Sequence, residues 1–177
     1  MKNLLLVPML VIAILLSSCS MFSPKSSKWR AQKEGIILHL QSDDKLNYKD
    51  GKYYTLFIVV YQLTKPDSFN LLTQDEEGLR ELLSKKIFDS TVVGLKSIII
   101  YPSTDKTYRL DRATGAKHVA VIAGYRTMVK ERMVRMFDIP LGTDTHFLKM
   151  EREYVPETLE VTMKFGATQI DVLNENN

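Results

Sequence analysis

The sequence predicts a mainly β fold, an antiparallel β-sandwich, and three observations carry that prediction. Short apolar segments recur with turn residues between them. No regular strand–helix alternation points to a parallel sheet. Only one segment combines a helical apolar period with a cap. Residues 35–177 are assigned to the sandwich, a single domain's worth of chain and enough to bury a core.

The strands follow in order. In residues 35–42, Ile36, Leu38 and Leu40 share one face, and Ile37, His39 and Gln41 share the other. Residues 53–63 are rich in Tyr, Phe, Val and Ile, as a well-covered strand should be. Residues 91–101 end in Ser97-Ile98-Ile99-Ile100-Tyr101 and stop at Pro102. Residues 107–111 make a short strand before the Ala113-Thr114-Gly115 turn. Residues 117–126 are long, apolar and rich in small side chains, so they form a central strand. Residues 132–139 and 146–153 are further candidates, and residues 159–165 read as the last or an edge strand. The one inserted helix is expected at about residues 75–86. Thr73-Gln74-Asp75-Glu76 fits a capping box with Thr73 as N-cap, and Leu79, Leu82, Leu83 and Ile87 follow at helical spacing. Gly78 inside it costs about 1 kcal/mol relative to alanine.

Residues 1–18 read as a lipoprotein signal sequence. Lys2 precedes an apolar run over residues 4–16, broken at Pro8 and shorter than the roughly 20 residues of a spanning helix. Leu16-Ser17-Ser18-Cys19 resembles a bacterial lipobox. Cys19, the chain's only cysteine, is the expected lipidation site and new N-terminus. Two or more acyl chains, at about 0.8 kcal/mol per buried methylene, hold a protein stably on a membrane. Ser20, where retention on the inner membrane uses aspartate, resembles the outer-membrane sorting pattern. Residues 19–34 are the lipidated N-terminus and a polar, flexible tether with an extended reach on the order of 50 Å. Trp29 is expected to dock on the domain. With no second cysteine there is no disulfide, so stability rests on the core.

The search for chemistry leads away from an enzyme. His39, His118 and His146 are far apart and form no metal-ligand spacing, and no metal or cofactor site is expected. No nucleophile elbow and no phosphate loop is present. Asp43-Asp44 reads as a solvated loop, and Asp75-Glu76-Glu77 as a helix start favoured by the macrodipole. His118 is expected to be a satisfied structural histidine. Arg126, Lys130, Arg132 and Arg135 form a basic stretch, a solvated face or a surface for an acidic partner. A net charge of +3 gives no argument for nucleic acid.

Several motifs, in order, resemble a known family. Ile58-Val59-Val60-Tyr61-Gln62-Leu63 resembles the strand ending in Tyr-Gln-Leu of TssJ, the outer-membrane lipoprotein of type VI secretion systems. Leu46-Asn47 stands upstream, as a Leu-Asn pair does in that family, and Phe69 and a helix follow. Val119-Ala120-Val121-Ile122-Ala123-Gly124-Tyr125-Arg126 resembles the family's Val-Gly-Val-Val-Ala-x-Phe-Arg strand. The chain departs from the pattern in places. Val59 replaces a common arginine, Ser103 stands where glycine often follows the proline, and Thr127 replaces an acidic residue. Met133, Val134 and Arg135 occupy the region of a usual Trp-Arg.

The resemblance implies a transthyretin-like sandwich with an added helix. It also implies a lipid-anchored position on the outer membrane, facing the periplasm, without catalysis or cofactor. The implied partner is the periplasmic domain of TssM, an inner-membrane protein. The expected contact is the loop over residues 42–51, with Asp43, Asp44, Lys45, Leu46, Asn47 and Tyr48 as binding residues. Its Leu46 and Tyr48 are an apolar residue and an aromatic that a bare hairpin turn does not require, and recognition favours such loops. The alternative is an outer-membrane β-sandwich lipoprotein that binds a small ligand or glycan, which would need an apolar pocket with convergent polar groups.

Overall fold

A computed structural model of the chain describes residues 29–146 and 151–176, with residues 144–146 and 151–153 traced by backbone only. The expected signal sequence, Cys19 and the tether up to residue 28 lie outside the described residues. The strands are β1 (Gln32–Ser42), β2 (Leu56–Leu63), β3 (Val92–Ile100), β4 (Asp105–Arg112), β5 (His118–Ala123), β6 (Val134–Asp138), β7 (Leu141–His146), β8 (Glu151–Pro156), β9 (Leu159–Phe165) and β10 (Ile170–Glu175). The helices are α1 (Asp67–Leu72), α2 (Glu76–Leu83) and α3 (Lys130–Met133).

The chain is mainly β. One sheet has the order β10-β9-β1-β4 and the second β3-β2-β5-β6, while β7 and β8 form a hairpin of their own. The alternation expected in β1 holds: Ile36, Leu38 and Leu40 are buried, with Ile37 and His39 half-buried. Leu159, Val161, Met163 and Phe165 of β9 join them in the core, as do Ile58, Val60, Val119 and Val121 from the second sheet. β5 is central as expected, paired with β2 on one side and β6 on the other.

β2 is buried along almost its whole length because it is covered on both faces. Its second face carries a helical layer. Tyr61 is fully buried, stacks edge-on against Phe69 of α1, and donates its hydroxyl to the Leu82 carbonyl of α2 at 2.6 Å. Small side chains on β5, Ala120 and Ala123, are wholly buried and leave room for close packing.

The helical insertion differs from the expectation in two ways. It is two helices, and the N-cap of α2 is Asp75, whose carboxylate accepts from the Gly78 N–H at 2.7 Å. Thr73 instead closes α1, donating its hydroxyl to Asn70 O. Gly78 has a reason beyond its propensity cost: a Cβ there would overlap the Leu72 carbonyl where the two helices cross.

The sheets also differ in detail. β1 begins at Gln32, and its pairing with β9 is parallel, Ile36 opposite Leu159 through Ser42 opposite Phe165. All other pairings are antiparallel. β9 is internal to its sheet, with β10 beyond it as the edge. The candidate strand over residues 146–153 is interrupted: His146 ends β7, Glu151 begins β8, and the four residues between lie outside the described ones. The candidate over residues 132–139 is a helical turn followed by β6.

Candidate functional site

The two ends of the sandwich have different characters. At one end the chain enters: the Trp29 carbonyl accepts from Gly115 N, and Trp29 packs against the core. The Arg112 guanidinium and the Lys117 ammonium lie 5.7 Å and 5.8 Å from its ring. Trp29 therefore docks, as expected. Arg112 is almost wholly buried there and donates to Arg30 O and Gln32 Oε1, and burial holds its pKa below the ordinary arginine value. Gln62 of the Tyr-Gln-Leu motif ties the sheets at this end, donating to Asp111 O at 2.9 Å and accepting from Ala113 N at 2.7 Å.

The candidate loop lies at the other end of β1. An 11-residue strand rising about 3.3 Å per residue separates the two ends by roughly 35 Å. Three segments meet here: the β1–β2 loop, residues 124–127 after β5, and the β9–β10 turn. Asp43 N donates to Phe165 O, Asn47 N to Gly166 O and Tyr48 N to Ala167 O. Leu46 is fully buried, worth about 1.5–3 kcal/mol for such a side chain. Asn47 is also buried, in a left-handed conformation at φ 49°. Its amide donates to Thr55 O at 3.3 Å, and its Oδ1 accepts from the Arg126 N–H at 3.0 Å.

The six sequence-predicted loop residues thus divide. Leu46 and Asn47 are turned inward and shape the loop. Asp43 is half-buried and paired with Lys164 at 2.8 Å, and that pairing raises the Lys164 pKa. Asp44, Lys45 and Tyr48 face outward. Tyr53 and Tyr101 are also exposed, and Tyr101 stands beside this end, its carbonyl accepting from Ser42 Oγ.

Sequence reasoning missed what joins the loop to β5. The last residues of the Ala-x-aromatic-Arg motif are a joint: Tyr125 is buried, its hydroxyl donating to Gln169 O at 2.6 Å, and burial pushes its phenol pKa well up. Arg126 does not meet a carboxylate among the described residues; its guanidinium lies over the Tyr54 ring at 4.2 Å. The signal was the bare coincidence of the Leu-Asn and Arg motifs in one chain, which no local pattern links. Asn47, Tyr48, Tyr125, Arg126, Thr127, Ala167 and Thr168 line a small depression at the loop's base. Ser103, after Pro102, takes φ 58°, the left-handed region glycine favours. His118 is satisfied by Asp138 at 2.6 Å.

A family model described as type VI secretion lipoprotein, VasD, EvfM, TssJ, VC_A0113 (T6SS-SciN) matches residues 34–164. The lipoprotein TssJ1 of Pseudomonas aeruginosa is similar in structure with a TM-score of 0.59 and 14% identity, covering 84% of this chain and 97% of that one. Serratia marcescens Lip, a membrane-bound component of the type VI secretion system, gives 0.60 and 17%, covering 78% and 96%. A chain in the structure of the T6SS protein TssM C-terminal domain from EAEC gives 0.54 and 16%, covering 78% and 97%. At such identities the likeness is one of fold. Comparison with curated proteins gives no match. Because the family model spans well over half of its length, the chain belongs to the type VI secretion lipoprotein family.

Proposed function

We propose that the chain is the outer-membrane lipoprotein of a type VI secretion membrane complex, and that it anchors the periplasmic domain of TssM. Residues 1–18 are removed as a signal peptide, Cys19 carries the lipid, and the domain faces the periplasm. The observation that carries the reading is the layout of the sandwich. The chain enters beside Trp29, and the exposed residues of the β1–β2 loop lie at the opposite end, roughly 35 Å away along β1. A protein held by lipid at one end then presents its recognition surface away from the membrane. Confinement raises the effective concentration of the partner, so a modest interface suffices. The depression at the loop base is far smaller than the ~300–1,000 Å³ typical of small-molecule pockets, so this loop suits a protein surface better than an enclosed small ligand.

The binding surface is the outward part of residues 42–51, Asp44, Lys45 and Tyr48, held in shape by Leu46 and Asn47. The test is affinity of the mature lipoprotein, in nanodiscs, for the purified TssM periplasmic domain. Asp44→Ala with Tyr48→Ala should weaken binding at least about tenfold, roughly 1.4 kcal/mol, with the melting temperature little changed. These substitutions leave the buried Leu46 in place, which shortening the loop would not. Wild-type affinity in the double variant would move the interface off this loop.

A further inference from the structure

We propose that Arg126 receives a carboxylate side chain of the docked partner protein. This deepens the reading above by giving the chemistry of the partner's contact, and it rests on that reading.

Arg126 is exposed, yet fixed at both its backbone and its head group. Its N–H is held by the buried Asn47 side chain, and the preceding residue, Tyr125, is buried and anchored to the β9–β10 turn. Its guanidinium lies over Tyr54 at 4.2 Å. A guanidinium resting on an aromatic face keeps its in-plane N–H donors free, the fork that matches a carboxylate with two parallel hydrogen bonds. None of the ion pairs among the described residues includes it. Asp43, the acidic residue at the base of the same loop, is already engaged by Lys164. Neither Asp43 nor the exposed Asp44 and Asp50 of the same loop is paired with Arg126 among the described residues, so its guanidinium is open to a carboxylate that a partner brings.

The surroundings fit a contact centre. Arg126 shares the rim of the depression with Tyr48 and Thr127, and Tyr and Arg are the residue types enriched where binding energy concentrates. Because the guanidinium is already placed, little side-chain entropy is lost when it is engaged. The depression is small, sized for the tip of one side chain rather than for a free ligand.

The experiment measures affinity of the mature lipoprotein, in nanodiscs, for the TssM periplasmic domain. Arg126→Gln should weaken binding at least about tenfold and flatten its salt dependence. Arg126→Glu should weaken it more, and one acidic-to-lysine substitution in the partner should restore binding to that variant. Arg126→Lys should fall between, since lysine lacks the planar fork. The melting temperature checks the fold of each variant, and an exposed head group predicts little change. Arg126→Glu binding within twofold of wild type, while Asp44→Ala with Tyr48→Ala binds weakly, would overturn the inference and leave the loop reading standing. A wild-type protein that fails to bind TssM would sink the reading itself, and the inference with it.

Discussion

Asn47 joins two motifs that are far apart in sequence, so replacing it tests whether the loop is held as described. Asn47→Ala removes the amide that donates to Thr55 O and the oxygen that accepts from Arg126 N. Each net hydrogen bond is worth about 0.5–1.5 kcal/mol, and a buried partner left unsatisfied costs up to about 3 kcal/mol. Alanine also meets the steric penalty of the left-handed region at φ 49°, on the order of 1 kcal/mol, which asparagine tolerates better. The sum is a loss of about 2–4 kcal/mol. Asn47→Gly separates the terms, because glycine accepts the backbone angle but restores neither hydrogen bond, so it should cost about 1 kcal/mol less than alanine. The assay is urea unfolding of the unlipidated chain, residues 19–177 with Cys19→Ser, followed by circular dichroism. A lower midpoint with an unchanged slope reports a stability change alone. An Asn47→Ala protein within about 0.5 kcal/mol of the parent would refute the claim that this side chain ties the loop to β5.

Two further perturbations read other parts of the fold. Gly78→Ala should destabilise by about 1–3 kcal/mol in the same assay, because overpacking outweighs the roughly 1 kcal/mol gain in helix propensity; a more stable variant would show that α1 and α2 do not cross closely there. Burial pushes the Tyr61 phenol up to about 12, with Glu81 adding to the shift. A pKa raised in the folded state favours the neutral phenol, so this stabilisation is complete below about pH 10 and is lost as pH rises from there through 12. Urea midpoints taken from pH 8 upward should therefore fall above pH 10, less steeply in Tyr61→Phe, and a flat profile would contradict the buried placement.

The parts of this fold that were legible in the sequence are those with strong local patterns. β1 alternates cleanly, β5 is apolar and buried after His118 because both of its faces are covered, and α2 carries three leucines at helical spacing. α1 escaped notice because six residues are too few to display a period, and its N-cap position is Pro66, with no side-chain cap bond. Thr73 looked like an N-cap because hydroxyls serve both ends of short helices; only the backbone path shows that Asp75 caps α2. The hairpin of β7 and β8 has few apolar residues in β7, Leu141-Gly142-Thr143-Asp144-Thr145-His146, so the alternation signal fails. The parallel pairing of β1 with β9 joins residues more than 120 positions apart, and no local pattern encodes it. The same distance explains the loop. Composition marked Leu46 and Asn47 as surface residues, but Leu46 belongs to the core, and the Gly166 and Ala167 carbonyls from the far end of the chain hold the Asn47 and Tyr48 N–H groups.

The central claim is that lipid at Cys19 and the loop at the far end together hold TssM to the outer membrane. The direct measurement is fractionation of cells that express the full chain with the TssM periplasmic domain as a soluble partner. The account predicts that TssM sediments with outer membranes when the wild-type lipoprotein is present. With Cys19→Ser the two proteins should instead be recovered together as a soluble periplasmic complex, since the anchor is lost and the binding surface is intact. Outer-membrane recovery of TssM that is unchanged by Cys19→Ser, or absent with the wild-type chain, would contradict it.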